Sequence, residues 1–352
     1  GVCKKFQDYL NRRLSLNGKF EVELKHLFSK FTGEVVANAG LGILGFCFED
    51  FEDADNSMAF DQLSHSLFVP NLIEGFFMTF LFFFPEWNRL VRVKFVTKEL
   101  EILFKMVAQK NLETRRKKSA PRNDFLQLMM DLEKSGEELD LETVAAHAFS
   151  FYMDGYQSSS IALLYIGYHL ATHQDIQDRV RNEVKTVIEK HGGVLTYEGL
   201  KEMTYMEQVI SESQRCSVGI GTMNKLCTEE FHLEGSDGLK YHAKPGTEII
   251  IPAYALQRDP KYWPDPETFN PERFSEEGKK NNEKYAFLPF GDGPRMCVGM
   301  RMALLQMKAC LATLLKDYKI ELSPKTKLPL KISPIFFISL PIGGMWVNIS
   351  KL

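Results

Sequence analysis

Phe290-Gly291-Asp292-Gly293-Pro294-Arg295-Met296-Cys297-Val298-Gly299 is the stretch on which the reading of this 352-residue chain turns. It sets a cysteine where a glycine-rich loop meets a helix expected to start at Cys297 itself. Gly291 and Gly293 allow the positive-φ backbone that a tight loop around a sulfur requires, and Pro294 stiffens it. A helix start there supplies unpaired backbone N–H groups and a positive dipole end, both of which favour thiolate over thiol and tune a bound metal. Arg295 is a fixed cation suited to a carboxylate. Gly299 lets the helix approach a flat partner closely, and Phe290 can pack against it. A single cysteine near a helix is usually just a small buried hydrophobe. Five typed positions at fixed spacing set this one apart.

Outward from that loop the chain changes texture. Met300 to Lys316 reads as helix, and Ile335 to Ile349 as a hairpin turned at Gly343-Gly344. On the other side, Pro260 to Phe274 carries four prolines in fifteen positions, which forbids a regular helix and implies an ordered, irregular connector. Short β-like pieces at Glu230 to Leu233 and Glu248 to Ile251 are bounded by turn signals at Gly235 to Gly238 and Pro245-Gly246. Before Cys216 the pattern is helical, with apolar residues at three- and four-residue spacing through Phe20 to Ala39, Lys98 to Arg116 and Asp124 to Leu132. Leu141 to His173 runs without proline and is apolar on most sides, so it is expected to cross the interior as the central helix. Further helices are expected over Val180 to His191 and Met203 to Arg215. The fold class is mostly α with a small β region, and no repeat or linker divides residues 1–352, so one domain is expected.

Composition bounds function. The chain is 44% hydrophobic and 25% charged, enough to bury a sizeable core. A formal net charge of -3 offers no broad attraction to nucleic acid or anionic lipid, and the basic cluster Arg115 to Lys118 reads as a solvated helix end. Six cysteines (Cys3, Cys47, Cys216, Cys227, Cys297, Cys310) lack C-x-x-C spacing, which argues against zinc sites and a dense disulfide framework and fits a reducing, cytosol-facing compartment. The chain opens on Gly1, and no apolar run approaches the ~20 residues of a membrane span. Gly75 to Phe84 (GFFMTFLFFF) is about half that length and reads as a buried helix in preference to an interfacial patch.

The Phe290–Gly299 stretch resembles the haem loop of the cytochrome P450 family, F-x-x-G-x-R-x-C-x-G, at every typed position. Glu212-Ser213-Gln214-Arg215 is similar to that family's E-x-x-R and Pro271-Glu272-Arg273-Phe274 to its P-E-R-F. Arg122-Asn123-Asp124-Phe125 and the lead Phe287-Leu288-Pro289-Phe290 resemble its insect microsomal members. A helical E-x-x-R alone is a common surface ion pair; order and spacing relative to Cys297 give it weight. The resemblance implies a cytochrome P450-like fold over essentially the whole chain. It implies haem b with iron bound by the Cys297 thiolate, a Glu212–Arg215–Arg273 network of charge-assisted hydrogen bonds, and pocket-lining residues at Ile335, Phe336 and Phe337. It further implies monooxygenase activity on a small apolar substrate, an NADPH-dependent cytochrome P450 reductase as electron donor, and the cytosolic face of the endoplasmic reticulum membrane as location.

Three departures qualify that resemblance. The family's [A/G]-G-x-[D/E]-T, whose acid and hydroxyl help deliver protons beside the haem, is here Asp154-Gly155-Tyr156-Gln157-Ser158. Gln157 hydrogen-bonds but gives up no proton at neutral pH. Asp154 lies four residues before Ser158 on the same helical face, so the pair is expected to share the proton relay, the alternative being that Asp154 is a capping or water-bound residue at a helix kink. After Arg215 the family's Leu-rich, Pro-containing segment is replaced by Cys216-Ser217-Val218-Gly219-Ile220-Gly221-Thr222. Lys225 falls where relatives place an arginine on a haem propionate, and keeps the charge without the bidentate fork. The family's members are also longer, and the chain is expected to be a C-terminal piece lacking the anchor and a propionate-binding helix, with weak haem binding in consequence. Two rival readings follow: an inert or haem-binding-only paralogue, and a haem-thiolate isomerase or dehydratase that needs no relay acid or dioxygen.

Overall fold

The computed structural model describes residues 1–15, 18–49, 98–117, 122–136, 140–333 and 338–352, with isolated positions between 76 and 96. Backbone contacts divide the chain into two compact units. One comprises Gly1–Met206, Gly299–Phe336 and Leu340–Leu352; the other comprises Glu207–Val298 and Phe337–Ser339.

The first unit is built on helices α1 (Val2–Leu14), α2 (Leu24–Val36), α3 (Lys98–Lys117), α4 (Phe125–Lys134), α5 (Leu141–Thr172), α6 (Gln174–Lys190) and α7 (Tyr197–Glu202). The central helix expected from Leu141 is α5, 32 residues long and unbroken. Asp140 starts it as N-cap, accepting from the Thr143 amide at 2.6 Å, which satisfies one of the orphan donors of a helix start. One side packs on α2, where Gly167 is needed. A Cβ there would fall 2.9 Å from the Phe28 ring and 3.1 Å from Leu24. Toward α3 the contact is aromatic, with Phe104 5.2 Å from Phe149 and 5.4 Å from Tyr152 between ring centroids. The Arg122-Asn123-Asp124-Phe125 stretch serves the structure here, because Asp124 caps α4 through the Gln127 amide and takes two hydrogen bonds from Arg115, both side chains being buried.

Three expectations in this unit are corrected. Phe20 to Ala39 is not one helix. Lys19–Glu23 forms strand β1, α2 follows under a Glu23 cap, and Ala37–Leu41 widens into a π turn. The alternation Lys19, Phe20, Glu21, Val22, Glu23 carries the strand period, hidden by the helical pattern that adjoins it. The C-terminal hairpin also differs. Lys331–Ser333 pairs with Leu340–Ile342, while the residues after Gly343-Gly344 form β7 (Trp346–Lys351). That strand lies antiparallel between β1 and β6 (Tyr318–Leu322), with Ile349 opposite both Phe20 and Ile320. The two glycines do turn the chain, with φ of 87° and 74°, but toward partners distant in sequence. Within the Gly75–Phe84 run, Phe76, Phe77 and Phe84 are exposed, contrary to the core reading; the rest of the run lies partly outside the described residues. Ile335, Phe336 and Phe337 also lie outside them. Among the described residues no helix is long and apolar enough to cross a membrane.

The second unit begins within α8 (Thr204–Cys216) and holds two small antiparallel pairs. These are β2 (Met223–Leu226) with β5 (Glu248–Ile251), and β3 (Phe231–Glu234) with β4 (Lys240–Ala243). The proline-rich connector is ordered without regular helix, as expected. Trp263, Phe274 and Ala286 form its small core, packed by Tyr262 and Phe287. The chain then re-enters the first unit as α9 (Met300–Asp317).

Candidate functional site

The scaffold of the second unit is the charge network expected from the sequence. Glu212 and Arg215, one turn apart on α8, are wholly buried and joined by two hydrogen bonds, Nε to Oε2 at 2.8 Å and Nη2 to Oε1 at 2.9 Å. Arg215 also donates to the carbonyls of Gln257 and Pro266, each at 2.9 Å. Burial pulls the Arg215 pKa down, and the hydrogen bonds and charge of Glu212 more than offset it, so the guanidinium stays charged. Arg273 joins more loosely. Its Nε stands 3.4 Å from Glu212 Oε1, a charge contact without good hydrogen-bond geometry, and its Nη2 donates to the Asp265 carbonyl at 2.9 Å. Glu212 Oε1 further accepts the Asn270 amide at 2.8 Å. The network therefore ties α8 to the connector.

Two members were not foreseen from the sequence. Gln257 is buried and works in both directions: its Nε2 donates to the Gln214 carbonyl at 2.9 Å, and its Oε1 accepts from the Leu288 amide at 3.1 Å, two residues before Phe290. Cys216 places its sulfur 2.9 Å from Arg215 Nη2. Burial first, then the negative charge of Glu212, push this thiol's pKa up to about 12, so it is protonated and packs as a small neutral group.

From Leu288 the chain enters the cysteine loop. Gly291 and Gly293 have φ of 70° and 77°, the left-handed conformation that the sequence required of them. Asp292 caps the single turn Gly293–Arg295, its side chain accepting the Gly293 amide at 2.8 Å. The Cys297 amide donates to the Phe290 carbonyl at 2.8 Å and closes the loop. This corrects the expected helix start. The helix begins at Met300 with Gly299 as N-cap, so Cys297 belongs to the loop and its own N–H is already used. The Cys297 thiol is exposed, as are Met296, Arg295 and the fully exposed Val298. Phe290 is half-buried. Lys225, on β2 opposite Ile249, is exposed. Neither Arg295 nor Lys225 has a hydrogen bond or ion pair among the described residues.

Asp154, Gln157 and Ser158 lie on α5 in the first unit, and the helix separates them. Asp154 and Ser158 share an exposed polar face with His147 and Ser150. Ser150 Oγ donates to the Asp154 carboxylate at 3.0 Å. Ser158 Oγ donates to the Asp154 backbone carbonyl, not to its carboxylate. Gln157 is buried on another face, where its Oε1 accepts from Lys25 Nζ at 3.0 Å. Lys25 also donates to Ser29 and lies 5.4 Å from the Tyr156 ring centroid. Gln306 of α9 is a third unforeseen residue, donating to the Gly155 carbonyl at 3.2 Å and to Ser159 Oγ, which anchors α5 at the segment that departs from the family pattern.

The residues of the cysteine loop suit a haem. A thiolate is a proper iron ligand, exposed Met296 and Val298 offer apolar surface to a flat macrocycle, and two uncommitted cations suit its carboxylates. A loop of this kind defines the class of thiolate-ligated haem proteins. The family comparison agrees. The chain matches the family model for cytochrome P450 over residues 1–346, and it belongs to the cytochrome P450 family. It is 34% identical to Cytochrome P450 6a2 of Drosophila melanogaster over 94% of this chain and 66% of that protein. It is 35% identical to Cytochrome P450 6j1 of Blattella germanica over 94% of this chain and 64% of that one. Probable cytochrome P450 6a21 of Drosophila melanogaster is 33% identical over the whole chain and 70% of its own length. The chain thus spans about two thirds of the length of the curated relatives it matches.

Proposed function

We propose that residues 1–352 form a haem-thiolate catalytic domain and that the protein is a monooxygenase acting on a small apolar substrate. The observation that carries this reading is the exposed Cys297 thiol at the end of a self-closed, positive-φ glycine loop, in a chain of the cytochrome P450 family. Bound haem iron supplies activation of dioxygen and insertion of one oxygen atom. The chain's own residues supply the rest. Cys297 ligates the iron. Arg295 and Lys225 pair with the haem carboxylates, Arg295 with a planar fork and Lys225 as a point charge. Phe290, Gly291 and Gly299 shape the seat, and the Glu212–Arg215–Arg273 network holds the connector that leads into it. Asp154 accepts a proton at its carboxylate and Ser158 passes one at Oγ, a division of labour that leaves Gln157 committed to Lys25. Electrons come from an NADPH-dependent reductase, and the protein works at the cytosolic face of the endoplasmic reticulum membrane.

The buried Gln157–Lys25 contact also favours a second reading, a haem-thiolate protein that rearranges or dehydrates an oxygenated substrate, or only binds haem. The reduced, carbon monoxide-bound absorption spectrum of the haem-loaded protein and its Cys297→Ala variant tests both. A thiolate-type Soret band in the first and none in the second is expected, and its absence from the first overturns ligation by Cys297. NADPH-driven turnover with a reductase then separates the monooxygenase from the second reading.

A further inference from the structure

The β3–β4 hairpin sorts its side chains by face. Phe231, Leu233 and Tyr241 share one side, while His232, Glu234, Lys240 and His242 share the other. His232 and His242 stand directly opposite each other in the ladder. Their rings are stacked, with centroids 4.3 Å apart and planes 15° from parallel. Glu230, two residues before His232, sets its carboxylate against His242 Nε2. The neighbouring Glu234–Lys240 ion pair at 3.1 Å borders the pair on the same face. All of these side chains are exposed, and neither ring nitrogen of His232 has a partner among the described residues.

We propose that His232, His242 and Glu230 form a surface site for a divalent first-row transition cation of the zinc, copper or nickel class. The backbone ladder, not the rings' own attraction, holds two imidazoles together. Neutral imidazole is the ligand form of histidine. Imidazole suits zinc, copper and nickel, and a carboxylate lowers the net charge of the complex. Metal–nitrogen bonds of about 2.0–2.1 Å place two ligating nitrogens about 3.3 Å apart, a span that opposite positions of an antiparallel pair readily meet. As they stand, the rings stack, and among the described residues no three donors are already arranged around one point. Closing the site needs rotation of exposed side chains only, with water completing the coordination shell. The site is separate from the cysteine loop and independent of the reading of its chemistry.

Zinc titration by isothermal calorimetry tests this on protein loaded with haem first, so that iron occupies Cys297, and then alkylated at any thiol still accessible, such as half-buried Cys3. One Zn2+ per chain is expected. His232→Ala and His242→Ala should each weaken binding at least about tenfold, the double variant should abolish it, Glu230→Gln should weaken it by a smaller factor, and Glu234→Gln should leave it unchanged. In the unmutated protein labelled at histidine, Zn2+ should shift the ring resonances of His232 and His242 together, and Mg2+ should shift neither. Absence of stoichiometric Zn2+ binding, affinity within about twofold of the original in the double variant, or zinc-induced shifts at other histidines alone would overturn the proposal.

Discussion

The cysteine loop of the second unit and the polar stripe on α5 of the first were both marked by short motifs, yet they are built differently. The loop is a backbone object. Two positive-φ glycines, an aspartate cap and one amide-to-carbonyl bond from Cys297 to Phe290 fix it, and Gln257 ties its lead to the buried Glu212–Arg215 pair. The stripe is a side-chain object on a helix that would form with many other residues in place. What it does depends on which face each residue takes, and Asp154, Gln157 and Ser158 fall on two. A site defined by backbone geometry tolerates little drift from its motif, whereas one defined by helical facing can exchange a residue, as Gln157 for an acid, and keep its fold.

That contrast is open to direct tests. Its largest consequence is in stability. Arg215→Ala leaves Glu212 buried without its cation and should cost about 3–5 kcal/mol in denaturant unfolding. Cys297→Ala, at an exposed position, should cost no more than about 0.5 kcal/mol although it removes the thiolate spectrum. Equal costs would deny that the network, not the cysteine, holds the unit together. On α5, Asp154→Asn should lower the coupling of dioxygen consumption to product by about 10²-fold, and Gln157→Leu should change it far less. Near-normal coupling in Asp154→Asn would remove Asp154 from the relay.

Thiol chemistry gives a smaller, graded effect. Thiolate is the reactive form, and burial raises the pKa of Cys216 to about 12 and that of Cys310 well above its ordinary value. Both therefore stay protonated near neutral pH, and labelling of Cys216 should grow only as pH climbs toward about 12. Iodoacetamide at about pH 8 should modify exposed Cys297 in haem-free protein and spare both buried thiols, as peptide mapping would read. The smallest effect is expected at Lys225. A single exposed cation contributes about 0.2–1 kcal/mol, so Lys225→Ala should raise the rate of haem loss by no more than a few-fold.

How far the sequence could be read follows the same division. The positive-φ glycines, the central helix and the Glu212–Arg215 pair are local, with their partners inside one motif or one helical turn. The helix starts at Met300, three residues beyond the Cys297 start expected from the sequence, because capping geometry depends on the turn that Asp292 and Phe290 close. β1 was hidden because its five residues adjoin an amphipathic helix. The C-terminal strand was given the wrong partner because its true partners lie far away in sequence. Gln157's bond to Lys25 spans 132 residues, and Gln306's to Ser159 spans 147. No periodicity carries such information.

The β1–β7–β6 sheet has a practical corollary. Strand β7 (Trp346–Lys351) is the middle strand, and among the described residues the strand pairing of β1 is with β7. A gene split between α2 and α3 would make two polypeptides. The smaller would carry β1 and α2, with a bare strand edge and the α2 surface that packs around Gly167. The larger would carry β6, β7 and α5, with the matching edge and groove. Co-expressed, the two halves are expected to find each other by strand pairing and helix packing, making the fold a natural substrate for fragment complementation.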